Sequence, residues 1–267
     1  MKTALTIAGS DSCAGAGIQA DLKTFAAHGV YGTSAITAVT AQNTQGVTAV
    51  HALEADVIIA QIEAIAGDIR VDAVKTGMLA TAAIVEAVAA AIHTLDLPNV
   101  VVDPVMVAKG GDRLLEDEAV AAVKSELLRW ALVVTPNARE AEVLADMPIN
   151  SVDDAREAAR RIHALGPRAV IVKGGHLPGP EAVDLLFDGR VFVEFTGPWI
   201  DSGNTHGTGC TFAAALAANL ALGRPLADAV EHAKQYVANA IRHGFAIGHG
   251  HGVLGHFWNA RIGDPGA

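Results

Sequence analysis

Residues 73–102 read AVKTGMLATAAIVEAVAAAIHTLDLPNVVV. A β-branched run at each end, Ala73–Thr76 and Asn99–Val102, has strand length. Between them, Thr81–Leu95 is rich in alanine and aliphatic residues at helical spacing. Strand, helix, strand within thirty residues is the unit of a parallel sheet, because two parallel strands need a crossover to join them. The same alternation extends in both directions. Strands are expected at Thr3–Ala8, Ala35–Thr40, Ala131–Thr135 and Ala169–Val172. Helices are expected at Ala16–His28, Ala55–Gly67, Asp117–Arg129, Ala138–Leu144 and Ser151–Leu165. Asp184–Asp188 and Val191–Glu194, joined through Gly189, read as a hairpin near the sheet edge, and helices at Cys210–Leu222 and Leu226–Arg242 close the chain. This rhythm implies an α/β fold, a mostly parallel sheet covered by helices on both faces. No linker, repeat or low-complexity tract divides it, so one domain is expected over residues 1–267, with an ordered core from about residue 3 to 258.

The glycine-containing loops mostly follow strands, so they are expected at the C-terminal edge of the sheet, where open α/β sheets bind ligands. The most telling is Asn204-Thr205-His206-Gly207-Thr208-Gly209-Cys210, followed at once by a helix. Glycines on either side of Thr208 let backbone N–H groups converge, and the helix adds its own free N–H groups and positive dipole end. The result is an anion hole of the kind that holds phosphate. Cys210 sits at its mouth, where a helix N-terminus is expected to lower a thiol pKa and make it a candidate base.

Other strand ends carry further chemistry. Ala41-Gln42-Asn43-Thr44-Gln45-Gly46 offers adjacent amide donors and acceptors that suit a nitrogen heterocycle. Val102-Asp103-Pro104-Val105-Met106 places an acid after an apolar strand, ready for magnesium or phosphate. Thr135-Pro136-Asn137-Ala138-Arg139-Glu140 reads as a capping box, with Glu140 also a candidate to hold magnesium through water. Val172-Lys173-Gly174-Gly175-His176 sets a point charge beside a close-approach backbone. Ala108–Asp112 reads as a lid. In the first loop, Gly15-Ala16-Gly17-Ile18-Gln19-Ala20 formally matches a dinucleotide fingerprint, but residues 35–48 contain no acid to hold the ribose, which argues against that class. Asp11 or Asp21 in that loop is instead placed to hold a polar group.

Bulk composition narrows the classes. A 51% hydrophobic chain of 267 residues excludes disorder. The net charge of −10, with no basic run, argues against nucleic acid. No apolar run is long enough to span a bilayer uninterrupted, and the first residues lack a signal-peptide pattern, so a cytoplasmic enzyme with no membrane partner is expected. The two cysteines, Cys13 and Cys210, make neither a disulfide framework nor a zinc ligand set by spacing. The glycine-flanked histidines of Gly248-His249-Gly250-His251-Gly252, together with His256, lack a neighbouring acid or cysteine and argue weakly for a metal.

Eight segments in order carry a resemblance. They are Ala8–Asp11, Gly15–Thr24, Ala41–Thr44, Lys75–Leu79, Asp103–Met106, Thr135–Asn137, Lys173–His176 and Asn204–Cys210. Together, from Leu5 to about Trp258, the chain resembles the bacterial hydroxymethylpyrimidine/phosphomethylpyrimidine kinases of the ribokinase-like superfamily. The resemblance implies a three-layer α/β/α fold and a homodimer. ATP, with Mg²⁺, would phosphorylate 4-amino-5-hydroxymethyl-2-methylpyrimidine and then its monophosphate, in thiamine biosynthesis. It implies that Gln42 reads the pyrimidine, with Gly9, Asp21, Met78 and Val105 nearby. Lys173 would neutralise phosphate charge, Gly207, Thr208, Gly209 and Cys210 would form the anion hole, and Thr135 and Asn137 would lie on the ATP side. Asp103 and Glu140 are the expected magnesium holders. Cys210 stands where many sugar-kinase relatives carry a catalytic Asp. The first loop departs from the family's usual Ser-Gly-Gly by reading Cys13-Ala14-Gly15, and the lid lacks the cysteine of some pyridoxal-phosphorylating relatives. A pyridoxal or pyridoxine kinase is the nearest alternative, and a non-catalytic pyrimidine sensor a more distant one.

Overall fold

The computed structural model describes residues 1–106, 115–175 and 181–259. The lid reading at Ala108–Asp112, and His176, lie outside the described residues. Among the described residues nine strands form a single sheet in the order β3-β2-β1-β4-β5-β6-β7-β8-β9. They are β1 Thr3–Asp11, β2 Tyr31–Gln42, β3 Val47–Ala52, β4 Ala73–Thr76, β5 Val100–Val102, β6 Val133–Val134, β7 Val170–Val172, β8 Glu181–Phe187 and β9 Phe192–Pro198. β2, β1, β4, β5, β6 and β7 are parallel neighbours, while β3 and β8 run against them.

The helices are α1 Gly17–Ala27, α2 Ala55–Ala66, α3 Ala82–Thr94, α4 Asp117–Ala122, α5 Ala138–Ala145, α6 Val152–His163, α7 Thr208–Ala221 and α8 Leu226–Arg242. The central strands bury both faces, so successive residues go to opposite cores. Val74, Val100, Val102 and Val134 pack with Ile58 and Ile62 of α2, Val85 of α3, Leu144 of α5 and Ile162 of α6. Ala73, Val101, Val133 and Ile171 pack with Phe25 of α1, with α7, and with Val230 and Ala233 of α8. The result is a three-layer α/β/α architecture. Thr211 to Ala221 of α7 are all buried, and the alanines there let the helix lie close to the sheet, α1 and α8.

Three differences from the expected elements have local causes. β3 was not read, because its residues are half-buried or exposed and carry no apolar alternation; it is a sheet edge defined by pairing with β2. The single helix expected over Asp117–Arg129 is α4 followed by a wider π turn at Val123–Leu127 and a tight 3₁₀ turn at Leu128–Trp130. β1 runs on to Asp11, which pairs with Thr40, and β2 starts at Tyr31, paired with Thr3, and runs on to Gln42, paired with Val47 of β3. Among the described residues no helix is long and apolar enough to cross a membrane.

The parallel strands all end at one edge of the sheet. That edge receives the ends of β1 at Asp11, β2 at Gln42, β4 at Thr76, β5 ahead of Asp103, β6 ahead of Thr135 and β7 ahead of Lys173. The N-termini of α1 and α7 meet there as well. A Cβ on Gly207 would lie 1.8 Å from the Gly15 carbonyl oxygen, so this contact requires glycine; Gly207 also holds φ +81, where only glycine is unstrained.

Candidate active site

A cleft of about 1400 Å³ opens along this edge. Gly9, Gln42, Met78 and Val105 line one end, and Asp103, Asn137, Glu140, Lys173 and Gly207 to Cys210 line the middle. The cleft continues between the end of β9, at Pro198 and Trp199, and α8, at Lys234, Ala238 and Arg242. Single small-molecule pockets span about 300–1,000 Å³, so this cleft has room for two ligands.

The ring-sized end is built from close backbone contacts. A Cβ on Gly9 would meet Met78 Cε at 2.5 Å, so the glycine is what lets the Met78 side chain lie over β1. Met78 is held in turn by the Thr37 hydroxyl, which donates to its carbonyl at 2.6 Å. Gln42 is anchored through its backbone: its N–H donates to Ser12 Oγ at 2.8 Å, and the Ser12 hydroxyl donates to its carbonyl at 2.7 Å. The Gln42 amide oxygen accepts from the Thr40 hydroxyl at 3.0 Å, and the residue lines the cleft.

The middle of the cleft is a cluster of charge around two helix N-termini. Gly207 caps α7, and the first turn from Thr208 carries N–H groups with no partner inside the helix. The Lys173 ammonium donates to Asp103 Oδ1 at 3.2 Å. Burial disfavours that ammonium, but Asp103 and then Glu140 outweigh it and hold its pKa above the ordinary lysine value. The Thr135 hydroxyl lies 3.5 Å from the same Asp103 oxygen. Asp103 Oδ2 is buried with no hydrogen-bond partner. Glu140 completes the capping box, accepting from Asn137 N–H at 2.8 Å while its own N–H donates to Asn137 Oδ1 at 3.0 Å. Burial pushes the Glu140 carboxyl up to about 7, Lys173 opposes this and Asp103 adds to it. An orphaned carboxylate oxygen beside a second carboxyl that resists ionisation is a donor set suited to a hard divalent cation, so Asp103 and Glu140 fit Mg²⁺.

Lys75 lies beneath this cluster and lines the cleft while being wholly buried. It donates to Asp21 Oδ2 at 2.9 Å, and the Thr6 hydroxyl donates to the same oxygen at 2.6 Å. Burial disfavours the Lys75 ammonium, yet Asp21, Cys210 and Asp103 together raise its pKa above the ordinary value. Burial raises the Asp21 carboxyl, and Lys75 and Thr6 draw it back. The Lys75 ammonium is held by Asp21, Cys210 and Asp103 around it, and Asp21 accepts from it directly.

Three expectations meet a different geometry here. Cys210 was expected to have a lowered pKa. Burial instead pushes its thiol up to about 12; Lys75 and a Gly17 N–H pull it down, but Asp103 and Asp21 push it further up. The helix terminus is present, but desolvation and two carboxylates outweigh it. Asp21 was expected beside the substrate. It does not line the cleft; it is a wholly buried counter-charge for Lys75. Thr135 is likewise fully buried behind Asp103 rather than on the cleft wall. The other expected positions, Gly9, Gln42, Met78, Val105, Asp103, Asn137, Glu140, Lys173 and Gly207 to Cys210, all face the one cleft.

Comparisons with known proteins give the family. A family model described as phosphomethylpyrimidine kinase matches residues 11–255. The chain belongs to this family. It is 52% identical over 255 residues to the hydroxymethylpyrimidine/phosphomethylpyrimidine kinase of Bacillus subtilis, covering 95% of this chain and 94% of that protein. Among solved structures, an ADP complex of B. subtilis pyridoxal kinase has TM-score 0.90 at 44% identity, covering 96% of this chain and 97% of that one. The phosphomethylpyrimidine kinase of Clostridium difficile 630 has TM-score 0.81 at 44% identity, covering 90% of this chain and all of the other, 100%.

Lys75 has no role in the sequence reading, while Asp11 and the histidine-rich tail have roles in the fold beyond those expected. Lys75 carried one legible signal, a charge inside a short strand between two apolar-rich segments. Asp11 accepts from the N–H groups of Cys13 at 2.8 Å, Gly15 at 3.1 Å and Ala16 at 2.8 Å, and meets His206 Nε2 at 2.9 Å. It is therefore the hub that ties the first loop to the anion-hole loop. The histidine-rich tail braces the ring-sized end: His251 N–H donates to the Thr44 carbonyl at 2.9 Å and Gly250 N–H to Thr44 Oγ1 at 3.1 Å.

Proposed function

We propose that this chain, acting as one kinase domain, transfers the γ-phosphoryl group of ATP to the hydroxymethyl oxygen of 4-amino-5-hydroxymethyl-2-methylpyrimidine. It then transfers a second phosphoryl group to the resulting monophosphate, giving the diphosphate used in thiamine biosynthesis. The observation that carries this reading is that the anion hole and Lys173 line one cleft together with Gln42, Gly9, Met78 and Val105 and with residues of β9 and α8. In this reading the Gln42 side takes the pyrimidine ring and the β9–α8 side takes the nucleotide. The names of the family and of its relatives support the same reaction.

The pyrimidine lies between Gly9, Met78 and Val105, with Gln42 reading its ring nitrogen and amino group. Its hydroxyl points at the first turn of α7. ATP enters from the β9–α8 side, past Asn137, with its terminal phosphate over Gly207 to Cys210. Phosphoryl transfer passes through a loose transition state, so positioning and charge neutralisation carry most of the catalysis. Lys173 and the α7 N–H groups supply that neutralisation. Asp103 and Glu140 would hold Mg²⁺, whose charge would offset that of the phosphates. The new O–P bond forms as the bridging P–O bond breaks and ADP leaves. With Cys210 protonated at rest, the alcohol proton leaves late, to an oxygen of the transferred group, and the thiol serves the anion hole as a donor. The monophosphate acceptor is already anionic and needs no base. The reading also includes a homodimer in the cytoplasm.

Gln42→Leu tests the placement of the pyrimidine. Loss of an amide partner to buried ring polar atoms costs about 1–3 kcal/mol. Calorimetry is expected to show that loss for the pyrimidine, with ATP affinity unchanged. Unchanged pyrimidine affinity would remove Gln42 from the ring pocket.

A further inference from the structure

Asp11, Cys13 and His206 bring together one oxygen, one sulfur and one nitrogen ligand atom, all within 4.8 Å of one another. We propose that these three side chains form a binding site for a zinc-type divalent ion, at the junction of the first loop and the anion-hole loop. The sequence alone assigned neither cysteine to a metal, because His206 is distant in the chain and only the fold brings it to Cys13.

The donor chemistry selects the ion. A thiolate, an imidazole and a carboxylate suit Zn²⁺ and the metals that mimic it, whereas Mg²⁺ prefers oxygen ligands. A tetrahedral ion with bonds of about 2.0–2.3 Å places its ligand atoms roughly 3.3–3.8 Å apart. Closing from the present spacing therefore needs a movement of about 1 Å, which the half-exposed Cys13 side chain can supply by rotation. The other two ligands are already adjacent and need only part slightly to admit the ion. His206 Nε2 lies 2.9 Å from Asp11 Oδ2, and both side chains are buried. The imidazole ring is locked against the first loop, since a Cβ on Gly15 would lie 2.1 Å from His206 Cδ2. Asp11 Oδ1 has one hydrogen-bond donor, the Cys13 N–H at 2.8 Å, and so keeps a lone pair for an ion. The loop that presents Cys13 is pinned by three N–H bonds to the Asp11 carboxylate, so it is formed before the ion arrives.

Binding replaces the His206–Asp11 hydrogen bond with two metal–ligand bonds, leaves the imidazole proton on Nδ1 in place of Nε2, and releases the thiol proton of Cys13 to solvent. Three protein ligands leave a fourth position open to water or another small ligand. His206 immediately precedes Gly207, the cap of α7, so an ion here joins the two loops that frame the anion hole.

The test uses the purified full chain, stripped of metal and kept in excess Mg²⁺ so that oxygen-only sites are filled, with Co²⁺ as the spectroscopic probe. The wild type is expected to show a thiolate-to-cobalt charge-transfer band that saturates at one equivalent and is bleached by Zn²⁺. Cys13→Ser and Cys13→Ala are expected to lose the band, and His206→Gln to lose it as well; Cys210→Ser keeps it. Circular dichroism confirms that each variant is folded. Absence of the band in the wild type, or its survival in either Cys13 variant, would overturn the proposal. Survival in His206→Gln would also overturn it, by reducing the site to a thiolate without the histidine.

Discussion

Replacing Cys210 separates two accounts of the alcohol phosphorylation. Its thiol is pushed up to about 12 by burial, with Asp103 and Asp21 adding to the effect. Forming the thiolate near pH 7 from a group about five pKa units higher costs about 7 kcal/mol, at roughly 1.36 kcal/mol per unit. General base catalysis contributes about 10²–10⁴-fold, or roughly 3–5.5 kcal/mol. The ionisation cost exceeds that gain, so a resting thiolate base does not assist the reaction. An incoming phosphate adds negative charge and raises the cost further. Cys210→Ala keeps the backbone N–H that faces the phosphate and removes only the S–H. The first transfer is therefore expected to slow by no more than about tenfold, the scale of one modest hydrogen bond. The second transfer should slow by a similar factor. The assay is ADP release with the alcohol and with the monophosphate at saturating ATP, alongside iodoacetamide labelling of Cys210 across the pH range. A loss of about 100-fold or more confined to the alcohol, with labelling that rises at or below about pH 8, would refute this reasoning and restore the thiolate base.

Three further outcomes follow from the packing. Lys75→Met leaves the wholly buried Asp21 without its counter-charge and is expected to destabilise by about 3–5 kcal/mol, while Lys75→Met with Asp21→Leu recovers much of that loss; denaturant titration of both variants checks it, and a mild single variant would mean the pair is not charged. Burial lowers the His256 pKa to about 4, with Lys23 adding to the shift; Thr211 Oγ1 lies 3.0 Å from its Nε2. The unfolded chain protonates this ring near pH 6.5 and the folded chain only near 4, so stability present above about 6.5 falls by up to about 3 kcal/mol as pH drops through that window, and His256→Gln should lose that part of the slope in a pH series of melting curves. Ala14 holds φ +62, where a Cβ is strained; Ala14→Gly is expected to stabilise by about 1 kcal/mol and raise Tm by about 2–4 °C, and a lower Tm would mean the loop gains nothing from glycine.

The parts of this molecule that were legible in the sequence are those with local causes. Strand, loop and helix N-terminus follow one another in sequence, so the loops at the strand ends could be placed at one edge before any contact was known. The capping box of Asn137 and Glu140 is likewise a pattern within four residues, and both of its hydrogen bonds are present. What escaped depends on distant partners. Lys75 and Asp21 are 54 positions apart, and Asp11 and His206 are 195 apart. The thiol of Cys210 was misjudged because a helix N-terminus is visible in sequence, whereas the desolvation and the Asp103 and Asp21 carboxylates around it are not. Edge strand β3 has too little buried surface to leave a periodic trace. In each case the deciding interaction was created by the fold.

The central claim is that the ring-sized lobe selects the hydroxymethylpyrimidine and that both transfers occur at the one anion hole. The direct measurement is coupled ADP release with purified protein, Mg²⁺ and ATP, offering 4-amino-5-hydroxymethyl-2-methylpyrimidine, its monophosphate and pyridoxal separately. The account predicts turnover of the first two, with pyridoxal much the poorest by kcat/KM. Turnover of pyridoxal above that of the pyrimidine, or no turnover of the monophosphate, would contradict it.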